Sequence, residues 1–458
     1  MRRATISIIV MLSLASVLSP ARDSKYTRHG TGPKYWIAYE WCFDNDLPIP
    51  ESRWKKNIDW MAVNLKDYGY DMICNDGWIE AAQTINENGY ITKYCSAWEH
   101  GFDYWNRYIA DKGMKVGVYY NPMWMTRAAY FAGCPVLGTD GITTTDIAGE
   151  HSFNDKLFWV DVDKEGAEQW IKGYVRYFKE LGVSYLRIDF LENYERNYGT
   201  EAYAKALRWI SEEAGDDMFL SLVMPNCYNH GSTEILYGDM IRVSNDCFKG
   251  GWDFVSDRGR GKRKSYWPQY DNVFDGFIAF SDITNPGQLI ADGDFMRLAS
   301  LRDIEECRFE FSLMVMAGSA LAVADEYDTV TEEILKVYTN RELLALNDEG
   351  FVADPLSMDI SAPSSSCWSG RTSDGDIVLG LFNREEHDVT YRIGFEENLG
   401  MDSAYAESVR DIWTHKNLGA MDGSLSVTVK PHCCKVFRIR PGSSGTAPAG
   451  LLTGCTKN

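Results

Sequence analysis

Short apolar, β-rich runs alternate with amphipathic segments of helical period from Lys34 to about Asn347. The runs are YWIAYEW (35–41), YDMICND (70–76), MKVGVYYN (114–121), SYLRIDF (184–190), FLSLVMP (219–225) and MIRVSND (240–246). Two weaker ones follow, at QLIADGD (288–294) and ALAVADE (320–326). Between them, GAEQWIKGYVRYFKELG (166–182) sets Ala167, Trp170, Ile171, Tyr174, Val175, Phe178 and Leu181 at three- and four-residue spacing. That spacing is one apolar helix face packing on a sheet, and Gly182 supplies the stop. CRFEFSLMVMAGSALAVADE (307–326) predicts the last helix and the strand after it. Eight alternating units over roughly 310 residues predict an α/β fold, a (β/α)8 TIM barrel spanning residues 33–348.

After Leu346 the period shortens. DIVLGLFNREEHDVTYRIGF (376–395) and LSVTVKPHCCKVFRIRP (425–441) alternate apolar and polar residues with turn residues between. This predicts a C-terminal antiparallel β-sandwich over residues 349–441. The Gly-, Ser- and Ala-rich stretch 442–458 reads as a flexible tail. At the other end, Arg2 and Arg3 precede an apolar stretch from about Ile6 to Leu18 and then small residues up to Ala21. That order is a signal peptide over residues 1–22, too short to span a bilayer, and predicts a secreted or periplasmic protein with no membrane insertion once the signal is removed.

Composition narrows the chemistry. The net charge of −20 repels phosphate backbones and anionic lipid, which disfavours nucleic-acid and membrane-surface roles. Aromatic residues make up 13% of the chain, with 15 Trp and 26 Tyr, side chains whose flat apolar faces suit sugar rings. The 11 Cys and seven His are scattered without CxxC pairs, HxH or HExxH, so neither a metal centre nor a cofactor is expected.

A TIM barrel carries its active site at the C-terminal ends of its strands. Polar residues collect there: Glu40, Asn75 and Asp76, Asn121, Asp189, Asn245 and Asp246, Asp292 and Asp294. Each alone reads equally well as a helix cap or turn residue; caps alone do not explain their convergence on one rim. Strands four and six are both even-numbered, so Asp189 and Asp246 can face one another across a pocket. Two such carboxyls suit glycoside hydrolysis, one attacking the anomeric carbon and the other protonating the leaving oxygen. Arg187, two positions before Asp189 on the same strand, is the expected partner of its charge.

CNDGW (74–78), KVGVYYN (115–121), YLRIDF (185–190) and RVSND (242–246) resemble, in order and position, motifs of glycoside hydrolase family 27, the melibiase family of α-galactosidases and α-N-acetylgalactosaminidases. EFSLMVMAGSALAVADE (310–326) and ELLALNDEGF (342–351) resemble its last barrel helix and the lead into its sandwich. The resemblance implies Asp189 as nucleophile and Asp246 as acid/base, within K-x-D-like and R-x-x-x-D motifs. It implies substrate contacts from Asn75, Asp76, Trp78, Tyr119, Arg187, Val223, Arg242 and Asp294, no cofactor, and an oligosaccharide or glycoconjugate as the partner.

Departures from the family pattern point away from a standard galactosidase. Arg187 replaces the usual Lys, Asn75 replaces the first of two Asp, and no Cys follows Asp189 closely enough for the family's active-site disulfide. Val223 stands where an α-galactosidase places a carboxylate for the 2-hydroxyl, which would leave an apolar surface beside carbon two. The expected activity is retaining hydrolysis of a terminal α-linked galactose-type sugar, either α-galactoside or α-N-acetylgalactosaminide. The alternatives are another pyranoside, such as a β-L-arabinopyranoside or an isomalto-oligosaccharide, and a catalytically silent carbohydrate-binding barrel.

Overall fold

All eight apolar runs form neighbouring parallel strands in a computed structural model, which describes residues 31–442 except 77–83, 154, 263–268 and 285–288. The strands are β1 (Lys34–Ala38), β2 (Met72–Asn75), β3 (Lys115–Tyr119), β4 (Val183–Ile188), β5 (Phe219–Leu222), β6 (Met240–Arg242), β7 (Ile290–Asp292) and β8 (Leu321–Val323). Each pairs in parallel with its chain neighbour from β1 to β7, and β8 returns to β1. The cylinder closes through a broken strand. Ile290, Ala291 and Asp292 pair with β6, and after Gly293 and Asp294 the same stretch resumes as Phe295–Met296 and pairs with β8. Asp294 has φ 68°, and a Cβ on Gly293 would stand 2.5 Å from Cζ of Phe277 and 2.7 Å from Val273, so the break needs a glycine.

Helices ring the barrel because their apolar stripes fit the outer faces of the strands. In Ala167–Glu180, residues Ala167, Trp170, Ile171, Gly173, Tyr174, Val175 and Phe178 are buried, and Gly182 turns the chain at φ 78°. Ile304–Met316 is buried along nearly its whole length, since the barrel covers one side and the second domain the other. One excursion departs from the β/α rhythm. Between β3 and Ala167–Glu180, the segments Trp124–Thr126, Ala148–Phe153 and Leu157–Val160 build a three-stranded antiparallel sheet over the barrel mouth.

The C-terminal strands are β9 (Asp354–Pro355), β10 (Cys367–Arg371), β11 (Ile377–Phe382), β12 (Val389–Gly394), β13 (Tyr405–Asp411), β14 (Lys416–Asp422), β15 (Ser424–Val429) and β16 (Cys434–Pro441). They form a six-stranded sheet in the order β9-β10-β11-β16-β13-β14 and a two-stranded sheet, β12-β15. Leu379, Leu381, Ile393, Phe395, Val409, Leu425 and Phe437 fill the space between these sheets. The opposite face of the large sheet joins the barrel core through Trp368, Val378, Phe382 and Val436. No described helix is long and apolar enough to cross a membrane, and no disulfide joins the described cysteines. Residues 1–22, read as a signal peptide, and 443–458 of the tail lie outside the described residues.

Candidate active site

Asp189 directly follows β4, half-buried, in the wall of a cavity of about 340 Å³ that also holds Asp76, Tyr119, Arg187, Arg242 and Asp246. Tyr119, level with Arg187 in the sheet, donates its hydroxyl to Oδ2 at 2.8 Å. The amide of Phe190 donates to Oδ1 at 2.6 Å. Phe190 has φ 61°, a left-handed conformation that costs a bulky residue about 1–3 kcal/mol. Burial and the nearby Asp246 charge push the Asp189 carboxyl above its ordinary range, while Arg242, the Phe190 amide and the Tyr119 hydroxyl pull it back. A carboxylate gripped by neutral donors and short of water is a stronger nucleophile than one tied to a cation.

Arg187 does not pair with Asp189, contrary to the sequence expectation. Its Nη1 donates to Asp292 Oδ2 at 2.7 Å, its Nη2 to Asp294 Oδ1 at 3.0 Å, and its Nε lies 3.4 Å from Asp76 Oδ2. The reason is depth. The guanidinium is fully buried below the rim, where these three carboxylates converge, and a buried cation is stable only with such partners. Asp294 joins two arginines, because Oδ1 also meets Nη1 of Arg242, and its Oδ2 accepts the Cys247 amide at 2.6 Å. Burial lifts the Asp294 carboxyl to about 6 even against both guanidinium groups. Arg242 in turn holds Oδ1 of Asp246 through Nη2.

Asp246 follows β6 with its side chain 36% exposed, so this second carboxylate faces the open part of the cavity. Asp76 sits deeper. Burial raises it well above the usual range, Arg187 opposes that, and Asp294 and Asp189 reinforce it. A carboxyl with so raised an affinity for protons can, once protonated, donate a hydrogen bond to a sugar hydroxyl as well as accept one.

The structure brings together Asp76, Tyr119, Arg187, Asp189, Arg242 and Asp246 in one wall, with Asp294 directly behind. Asn75 and Val223 stay apart from it. The Asn75 carboxamide accepts the Tyr119 amide at 3.0 Å, stitching β2 to β3. Val223 is fully buried, its amide donating to the Ile188 carbonyl at 2.8 Å, and it is not among the cavity residues. The apolar surface expected from it beside carbon two therefore has no geometric basis. Trp78 lies outside the described residues.

Sequence reasoning missed the aromatic half of the cavity. Tyr39, Phe43, Phe248 and Phe295 line one side, with Tyr39 packed 4.6 Å from Phe295 and Phe43 5.7 Å from Phe248. Phe153 and Phe190, 4.6 Å apart, line another. Tyr39, Phe190 and Phe248 each fall within two residues of a strand end or a catalytic candidate, a signal that was open to reading. Phe153 was not readable, because it arrives from the three-stranded excursion, which no β/α period announces. Such rings suit the apolar faces of pyranosides. Two carboxyls, one fixed for attack and one half-exposed, in a cavity of polar floor and aromatic walls are equipped for glycoside hydrolysis.

The comparisons with known proteins agree. The profile described as the alpha galactosidase C-terminal beta sandwich domain matches residues 363–439. Isomalto-dextranase from Arthrobacter globiformis is 43% identical over 450 residues, covering 92% of this chain and 69% of that protein. An alpha-galactosidase from Oryza sativa subsp. japonica is 23% identical over 268 residues, 58% of this chain and 59% of that one. Among solved structures, the Arthrobacter globiformis T6 isomalto-dextranase complexed with panose superposes with a TM-score of 0.86 at 42% identity, covering 93% of this chain and 75% of that one. A family 27 β-L-arabinopyranosidase from Geobacillus stearothermophilus shares the fold, with a TM-score of 0.74 at 19% identity over 94% of this chain and all of that one. The chain belongs to glycoside hydrolase family 27.

Proposed function

We propose that the chain is an exported, retaining hydrolase of α-(1→6)-linked glucan, acting on dextran-type chains as its isomalto-dextranase relative does by name. The observation that carries this reading is the 43% identity to that relative over 92% of the chain, against 23% over 58% for the rice α-galactosidase. The aromatic rings and paired carboxyls of the cavity suit a glucan as well as a galactoside. Asn75 and Val223, the two departures read as pointing away from a standard galactosidase, lie outside the cavity wall, so the glycone reading rests on the identity to the isomalto-dextranase.

The reaction runs in two steps. Asp189 attacks the anomeric carbon while Asp246 gives its proton to the glycosidic oxygen, so the C–O bond breaks and a glycosyl ester forms on Asp189. Asp246, now ionised, takes a proton from water, whose oxygen displaces Asp189 and releases the sugar. Arg242 holds Asp246 in place, Tyr119 and the Phe190 amide hold Asp189, and the aromatic rings seat the sugar faces.

A substrate panel tests the glycone. Dextran and 4-nitrophenyl α-isomaltoside should be turned over with kcat/KM at least about tenfold above that for 4-nitrophenyl α-galactoside, a gap of roughly 1.4 kcal/mol. A preference for the galactoside would return the glycone to the galactose type and leave the carboxyl pair untouched. Proton NMR of the first-formed sugar should show the α-anomer; a β-anomer would refute the two-step route. Export is tested by N-terminal sequencing of protein recovered outside the cytoplasm, which should begin after residue 22; a retained Met1 there would sink that part.

A further inference from the structure

The loop that carries Asp246 is fastened to the other domain. Arg384, just past β11 in the sandwich, is only 4% exposed and crosses the boundary between domains. Its Nε donates to Ser256 Oγ at 2.9 Å, its Nη1 to Asp275 Oδ1 at 2.7 Å, and its Nη2 to the Ser256 carbonyl and, at 3.5 Å, to Asn272 Oδ1. Asn272 passes the contact on, since its Nδ2 donates to the Arg258 carbonyl at 3.1 Å. Arg258 completes it. Its Nη2 donates to the Asp246 carbonyl at 2.6 Å, its Nε to the Asp271 carbonyl at 2.8 Å, and its guanidinium lies 5.1 Å from the Phe248 ring centroid. Polar contacts thus run without a gap from Arg384 through Asn272 and Arg258 to the backbone of Asp246.

We propose that Arg384 is a positioning residue for Asp246, so that the sandwich sets the proton donor of the barrel. This rests on the reading of Asp246 as acid/base. The Asp246 side chain is half-exposed and, among the described residues, its carboxylate is held by Arg242, so its placement over the glycosidic oxygen depends on where the backbone stands. Proton transfer needs heavy atoms within hydrogen-bond reach, and a displacement of about 1 Å can cost on the order of 100-fold. The barrel holds the neighbours of Asp246, the Cys247 amide on Asp294 and the Phe248 amide on the Tyr39 hydroxyl, and the path from Arg384 through Arg258 adds a hold on the Asp246 carbonyl itself.

The split between leaving groups exposes this role. Isomaltotriose and 4-nitrophenyl α-isomaltoside share a glycone, but only the first needs a proton on its leaving oxygen. In the full chain, Arg384→Lys keeps a cation for Asp275 and loses the fork to Ser256. Asn272→Ser keeps the helix cap on Asp275 and loses the donor to Arg258, which tests the path should the first variant fold poorly. Each variant should lower kcat/KM for isomaltotriose about tenfold or more and change the aryl substrate by less than about twofold. The double variant should be no worse than the poorer single one, because both cut one path. Equal losses on both substrates, or no loss on either, would overturn the proposal. Asp246→Ala serves as the reference. If it shows the split and the Arg384 and Asn272 variants do not, positioning fails and the acid/base reading stands. If Asp246→Ala itself loses both substrates equally, the acid/base reading falls and takes the proposal with it.

Discussion

At the scale of single residues, Asp189 is defined by what it lacks. Among the described residues no cation bonds to it, and its ionisation is favoured by the Arg242 charge at a distance, the Phe190 amide and Tyr119. Asp189→Asn should abolish turnover with the fold intact, and azide should partly rescue Asp189→Gly; an Asn variant keeping most of the parent kcat would move the nucleophile elsewhere. Tyr119→Phe removes a donor that lowers the Asp189 carboxyl, so the acid limb of the kcat/KM profile should shift to higher pH. A limb that stays in place would mean Asp189 does not govern it. Glu192, three residues on, is buried, its Oε2 without a hydrogen-bond partner among the described residues, and burial and the Asp189 charge lift it to about 8. Its folded value lies above the unfolded one, so the native state keeps a proton that the unfolded chain releases. Stability from this group is therefore present below about pH 4.5 and lost as pH rises towards 8, on the order of a few kcal/mol. Glu192→Gln, a fixed neutral mimic, should raise Tm at pH 8 and leave it nearly unchanged at pH 4; a uniform shift would reject the titration account. The two carboxylates were legible because strand ends in a barrel must converge. The partner of Arg187 was not, since sequence spacing gives the face of a strand but not the depth at which charges meet.

Among elements, the eight strands were readable because burial on both faces writes continuous apolar runs, and even the weak seventh and eighth runs fell on β7 and β8. The break inside the seventh was hidden. Nothing in QLIADGD says that one stretch serves two neighbours with a left-handed Asp between. Gly293→Ala forces a methyl onto the ring of Phe277, so Tm should fall by an amount equivalent to about 1–3 kcal/mol. kcat should fall with it, because Asp294 and the two arginines it joins are displaced. Unchanged melting and turnover would show that the break relaxes freely.

For the whole molecule, the two domains are one hydrophobic body. Phe274 and Phe309 of the barrel pack against Phe382 of the sandwich at 5.7 and 5.0 Å, and Trp368 lies 6.1 Å from Phe274. The change of texture after Leu346 located the second domain, but an alternating pattern cannot say what lies against its outer face. Calorimetry should give a single cooperative transition, and deletion of residues 349–442 should leave an insoluble barrel. Two separate transitions, or a soluble active barrel, would contradict the shared core.

The broken strand also bears on how such a protein can diversify. The stretch 290–296 closes the cylinder and presents the aspartate that locks both arginines, so mutational drift there threatens architecture and chemistry together. The three-stranded excursion that carries Phe153 and the short helix Glu40–Asn45 that carries Phe43 are not strands of the cylinder. A lineage exploring new sugars has its latitude in those ornaments, and directed evolution of this chain is best aimed at them, with the seam left untouched.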